Sequence, residues 1–536
     1  MSSRRTPCES CRRQHVKCTG YPICRRCQKS GKRCERTEQK WRFRHAVAAV
    51  QYVDETPKYT KDTPSKDRPT TRGTASSHTP DSRPGPSQPP PALPSTISPT
   101  IIGLPTSPHS RQPSTLQTHR LPWPRFSPRD ACLLRYFVEE LARWFDLTDP
   151  EHHFECVVPQ RCRTCPALLG ALLAASARHF STLPPSRRSH ILEGYGLLPT
   201  QDQEMHITEE TVIYYHNRSI TQLRNLANEP EAIMDENLLA AVVALRFFEE
   251  LDSPFIHTPT ETAVQGVNVF LRAQASMALH ATGLRASAFW VGFRQEFNLA
   301  FSQQRAIRLP PDIAVSYLTW TPAPDHVWTN RLIVIGTHVL ECCYGDSHKE
   351  GEGRRRYEYD ELVQLREKWV AQRPSSFEPV YAEEPRLPVH AFPPADLALN
   401  SPDTTRWDSI FPKIWFINNA HIVAAQTLGL LDILLAAYSP YIPRVGPSRR
   451  TEMEAVDARI RQIVLDVCGI GLSNRQSPPA ALTACIAIII CADWFVDVGL
   501  GVQKALMEVV VKTTEENNYW PTGESQVRLR QVWGWN

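Results

Sequence analysis

Cys8-Glu-Ser-Cys11-Arg-Arg-Gln-His-Val-Lys-Cys18-Thr-Gly-Tyr-Pro-Ile-Cys24-Arg-Arg-Cys27-Gln-Lys-Ser-Gly-Lys-Arg-Cys34 is the most informative stretch of this 536-residue chain. Its six cysteines form two halves of one pattern, a Cys-x2-Cys pair followed by a third cysteine. Thiols stay reduced in the cytosol and nucleus, so this spacing points to metal before disulfide. Zinc takes four ligands in a tetrahedron, so two ions need about eight coordination positions. Six thiolates fill them only when two bridge both ions. The repeat suggests one bridge from the same position of each half, most simply Cys8 and Cys24. A disulfide-stapled secreted peptide is the competing reading, but the opening Met-Ser-Ser-Arg-Arg-Thr-Pro lacks the apolar core of a signal peptide. With every position filled by thiolate, such zinc is structural and has no open site for water. A module of about 30 residues buries too little core to fold alone. Metal binding then supplies its folding free energy, about 10–16 kcal/mol per structural zinc.

On these residues the chain resembles the DNA-binding domain of fungal binuclear zinc cluster transcription factors. All six cysteines, a basic first segment and a central-loop proline (Pro22) carry the resemblance. It implies zinc ligands at Cys8, Cys11, Cys18, Cys24, Cys27 and Cys34, with Cys8 and Cys24 bridging, and two short helices, one after each cysteine pair. It also implies that the first helix docks in the major groove of double-stranded DNA, with residues before the third cysteine reading base edges. The matching segment is Arg12, Arg13, Gln14, His15, Val16 and Lys17. Gln14 and His15 depart from the family, whose members often carry Arg or Lys there. A histidine nitrogen can donate to guanine, whereas glutamine suits the N6/N7 edge of adenine. Arg12, Lys17, Arg25 and Arg26 are expected on phosphates, where they set register without reading sequence.

Charge separates this stretch from the rest. The chain carries a net +4, yet residues 1–45 hold 14 Lys/Arg against 3 Asp/Glu, and the remainder 46 against 53. A strongly cationic end on a mildly acidic body suits a phosphate-facing module and leaves the body without general affinity for nucleic acid. No membrane span is expected, because the most apolar run, Ala480 to Cys491, is short and is followed by Asp493 and Asp497.

Residues 1–45 are therefore the expected zinc cluster domain, 46–126 a disordered linker and 127–536 an all-helical domain. Of the 46 prolines, 17 fall between residues 46 and 128, mixed with Ser and Thr and too few apolar residues to offset ordering. No sustained heptad follows the cysteines, which argues against zipper-style dimerisation. From Ser127 the pattern turns helical: Ser127 caps, Pro128 suits the first turn, and Asp130 stands where a capping-box acid would. Leu134, Phe137, Val138, Leu141 and Phe145 fall on one face. Pro166–Phe180 and Asp235–Leu251 are apolar almost all round, as buried central helices are. Further helices are expected near 211–227, 262–281, 285–303, 326–344, 359–372, 410–438, 452–472, 478–498 and 500–515, and no segment alternates long enough for a sheet.

This region resembles the fungal-specific transcription factor regulatory domain at Phe137–Pro150, Val158–Phe180, Asp235–Asp252 and Ala288–Pro311. The resemblance implies a nuclear, sequence-specific regulator of RNA polymerase II transcription that contacts the transcription machinery and takes an unidentified small-molecule effector. A homodimer is an open option. A pathway-specific activator of a biosynthetic cluster or nutrient pathway is the leading expectation, a repressor the alternative. A metabolite-binding enzyme or sensor anchored by the zinc module is the remote one, since no catalytic pattern or phosphate loop stands out. Cys162 and Cys165, with His152 and His153 upstream, read as packing thiols ahead of a second zinc site. Phe289, Phe293, Phe297 and Phe301 with Trp290 read as core ahead of an effector pocket.

Overall fold

The computed structural model describes residues 25–30, 126–197, 207–226, 231–252, 261–310, 312–345, 352–385, 410–443, 445–516 and 518–535. The chain divides into two units, 1–121 and 122–536. In the first, the described residues form one short helix, α1 (Arg25–Ser30). The second is built almost wholly of helices.

Its first helix, α2 (Pro128–Tyr136), starts as the sequence dictates. The Ser127 hydroxyl accepts the Asp130 N–H at 3.1 Å, and Pro128 occupies a first-turn position that needs no donor. The Asp130 carboxylate does not close a capping box; it takes the hydroxyl of Tyr215. A wider π-turn, Phe137–Leu141, then leads into α3 (Ala142–Phe145). A π-turn re-phases the helix, so Leu133, Tyr136, Phe137, Leu141 and Phe145 are buried while Leu134 and Val138 are half-buried.

Two short helices, α4 (His153–Cys156) and α5 (Val158–Arg161), lead to α6 (Pro166–Thr182), the central element of this half. Beyond α7 (Pro185–Gly194) come α8 (Glu209–Leu226) and α9 (Glu236–Asp252). Helices α8 and α9 both pack on α6. Small residues permit the approach: a Cβ on Gly170 would lie 3.0 Å from that of Ser219, whose hydroxyl donates to the Ala167 carbonyl at 2.9 Å. Helices α10 (Glu261–Ala278) and α11 (Leu284–Ser302) complete the layer against α9.

Helix α12 (Asp325–Tyr344) crosses α11 closely, since a Cβ on Gly336 would fall 2.6 Å from the Phe297 ring. It carries α13 (Glu352–Gln372) on one side, where the Trp369 indole donates to the Trp328 carbonyl at 2.9 Å. An antiparallel ribbon follows, β1 (Tyr381–Glu383) on β2 (Lys413–Trp415). The expected helix over 410–438 thus begins late. Residues 413–415 pair as strand, and the Asn418 carboxamide oxygen caps α14 (Asn419–Ala437). Helix α15 (Ser448–Ser473) holds β2 through Ser473 and Asn474. α16 (Pro478–Ile490), α17 (Leu500–Glu508) and α18 (Gly523–Val532) finish the domain. The expected 478–498 helix ends at Ile490 and continues as a tighter turn, Ala492–Phe495.

Helix α14 is long and apolar enough to cross a membrane. Here it is a core helix: the Gln426 amide donates to the Val467 and Ala480 carbonyls, and Asp432 pairs with Arg366 at 2.5 Å. The C-terminal segment packs against the first helices of this helical unit. Trp520 stacks on Trp144 at 5.2 Å and meets Phe247 at 5.6 Å, while His179 contacts the Asn518 carbonyl at 3.1 Å.

Candidate functional site

Of the expected zinc and DNA residues, Cys27, Arg25 and Arg26 fall in α1. Cys8, Cys11, Cys18, Cys24, Cys34, Arg12, Arg13, Gln14, His15 and Lys17 lie outside the described residues, as does the linker. The helix begins at Arg25, between the two members of the second cysteine pair, rather than after the pair. Cys27 is 2 % exposed, while Gln28, Lys29 and Ser30 face solvent. Among the described side chains of this helix, residues 27–30, the buried one is a thiol, which fits an inward-facing zinc ligand. The Ser30 hydroxyl donates to the Cys27 carbonyl and satisfies an acceptor the helix end leaves open. Lys29 in the last turn complements the helix dipole, but Arg25 and Arg26 occupy the first turn, which contains no acidic residue. That placement opposes the dipole by about 0.3–1 kcal/mol per charge, so helix energetics does not account for the two arginines.

In the helical unit, Cys162 and the upstream histidines do not converge. The Cys162 thiol donates to the Pro159 carbonyl at 3.1 Å, and burial pushes its pKa up to about 12. Burial likewise raises Cys165. His153 is held by Asp149 at 2.9 Å and faces Glu151 at 3.3 Å. Both cysteines are packing thiols. Cys343 is buried and Cys342 half-buried, as adjacent helical residues on different faces are. Phe289, Phe293, Phe297 and Phe301 are each at most 1 % exposed and Trp290 6 %, so the aromatic row is core.

One Ser, Asp and His do meet: the Ser376 hydroxyl donates to Asp325 at 2.9 Å, and His421 contacts the same carboxylate at 2.7 Å. The aspartate stands between the other two. A nucleophilic triad needs the imidazole in the middle to take the hydroxyl proton, so this trio anchors the start of α12 to α14 instead.

The charged chemistry the sequence reading missed lies in the turn after α3. Asp146 is buried, and its carboxylate accepts the N–H groups of Phe154 and Glu155, each at 2.9 Å. Burial raises its pKa to about 7. Nearby, Arg294 of α11 donates to the Phe145 carbonyl at 2.9 Å and the Thr148 hydroxyl at 3.2 Å, and burial lowers its pKa to about 10. Arg246 pairs with Glu250 at 3.0 Å beside it, where burial favours the neutral acid. The signal was present in Asp146-Leu-Thr-Asp-Pro-Glu-His-His-Phe-Glu155, four acids and two histidines in ten residues.

Residues 132–287, from α2 into α11, match the family model described as the fungal specific transcription factor domain. The match covers less than a third of the chain and does not extend to the cysteine stretch. It includes three of the four segments on which the regulatory-domain resemblance rested; Ala288–Pro311 lies beyond it. No curated protein and no solved structure matches the chain. The fold is thus a predominantly helical unit containing a segment similar to a fungal specific transcription factor domain, which points to a transcription regulator.

Proposed function

We propose that the protein is a nuclear, sequence-specific DNA-binding transcription factor of the binuclear zinc cluster kind. Residues 1–45 bind DNA, 46–126 form a linker and 127–536 form the regulatory domain. The observation that carries the reading is the pairing, in one chain, of the doubled cysteine repeat with a helical unit similar to a transcription factor domain. Cys8, Cys11, Cys18, Cys24, Cys27 and Cys34 would hold two zinc ions, which supply folding free energy and no catalysis. The buried Cys27 and the dipole-opposing Arg25 and Arg26 support that assignment. Arg12, Lys17, Arg25 and Arg26 then contact phosphates and fix the register, while Arg13, Gln14 and His15 present donors to base edges. The regulatory domain contacts the transcription machinery and is not an enzyme. We assign it an activating role on the net acidity of residues 46–536.

Binding-site selection with the zinc-loaded full chain tests the proposal. The expected result is a recovered duplex motif bound with a steep salt dependence. A pool that stays random, or binding insensitive to salt, would overturn it.

A further inference from the structure

The turn that follows α3 brings together a set of donors unrelated to the N-terminal cysteines. One side-chain donor atom from each of Asp146, His152 and Glu155 lies within 4.8 Å of the others. We propose that Asp146, His152 and Glu155 bind a divalent transition-metal ion, with Zn²⁺ as the physiological fit, at a second metal site carried by the helical domain itself.

The donor chemistry suits it: one imidazole and two carboxylates form a mixed nitrogen–oxygen set of the type that zinc accepts. The spacing of His152 and Glu155 suits it too. His152 Nδ1 and Glu155 Oε2 are 3.6 Å apart, too long for a good hydrogen bond. Two ligands bonded at about 2.0–2.2 Å to one tetrahedral ion sit about 3.3–3.6 Å apart. Asp146 is the buried member at 4 % exposure, and its hydrogen bonds come from the Phe154 and Glu155 backbone. Each carboxylate oxygen keeps a further lone pair. The nearby Arg294 guanidinium donates to Phe145 and Thr148 and interacts with Asp146 through charge.

The neighbouring donors are committed elsewhere, since His153 is engaged by Asp149 and Glu151. The side chains of His152 and Glu155 are about half exposed, which leaves the ion a path of entry and room for water as a further ligand. The turn at 146–148 also touches α11, α12 and α14. An ion that ties Asp146 to α4 therefore stiffens a junction shared by both halves of the domain.

The proposal stands independently of the zinc cluster reading, so the test rests on a difference. The full chain is equilibrated with Zn²⁺ and the bound metal counted beside His152→Asn and Glu155→Gln, with His280→Ala as a surface-histidine control. His152→Asn retains a residue type that tolerates the left-handed backbone at this position (φ 51°). Wild type and His280→Ala are expected to hold one more equivalent than either site variant, whatever number the cysteines hold. Co²⁺ in that equivalent is expected to give d–d absorption without thiolate charge transfer. Equal metal counts in all four proteins, which would mean adventitious surface binding only, or a thiolate signature on the extra equivalent, would overturn the proposal.

Discussion

The cysteine stretch and the helical unit differ in what each demands of its residues. In the first, the proposed chemistry rests on six positions at fixed spacings, and each proposed ligand is irreplaceable because an ion needs its full coordination set. In the second, the fold rests on a large contiguous core running from Leu133 to Trp533, where stability is shared among many contacts and one loss is survivable. Discrete chemistry is proposed from spacing, residue by residue. Distributed packing can be read only as a class.

Removing metal is expected to separate the two most strongly. A strong chelator, or Cys8→Ala, should abolish DNA binding by the full chain while the cooperative melting of the helical domain persists. Band-shift and circular dichroism on the same samples check this; joint collapse would mean that the two regions do not fold separately. Within the core, Phe297→Ala should cost about 3–5 kcal/mol, because the ring is buried between α11 and Gly336. Urea denaturation measures it, and a loss below about 1 kcal/mol would show that the crossing is loose.

Acid offers a third handle. His179 is buried, with Tyr136 at 2.7 Å on one ring nitrogen and the Asn518 carbonyl on the other, and burial lowers its pKa to about 4. The folded value lies below the unfolded one, so this stability is complete above about pH 6.5 and is lost as pH falls toward 4. The shift amounts to about 3 kcal/mol. Urea melts at pH 7.5 and 5.0 should diverge less for His179→Gln than for wild type; equal divergence would show that other groups carry the acid sensitivity. A smaller effect is expected at Gly469, where a Cβ would collide with the Pro412 carbonyl oxygen leading into β2. Gly469→Ala should cost about 1–3 kcal/mol, read in the same melts, and no change would mean that the ribbon shifts freely.

Much of the helical unit was legible because α6, α9 and α11 are long runs whose apolar positions leave little choice but burial. Ser127 was legible as a cap for the same local reason. What escaped depended on partners distant in sequence. The β1–β2 ribbon joins residues 381–383 to 413–415, and three-residue strands give too short an alternation to register. The π-turn at 137–141 shifted which of Leu133 and Leu134 faces inward. The closure of Trp520 onto Trp144 spans the whole domain and has no local signature. The Asp146–Glu155 turn was visible as composition, but its convergence depended on a left-handed His152 that no periodicity announces.

The proposed DNA-binding role turns on whether metal and the basic face act together. The decisive measurement is the salt dependence of duplex affinity for the zinc-loaded full chain, wild type beside Arg25→Ala and Arg26→Ala, with and without chelator. Each substitution is expected to lower the slope by about one phosphate contact without changing the preferred sequence, and chelation is expected to abolish specific binding. Specific binding that survives chelation, with slopes unchanged by either arginine, would contradict the account.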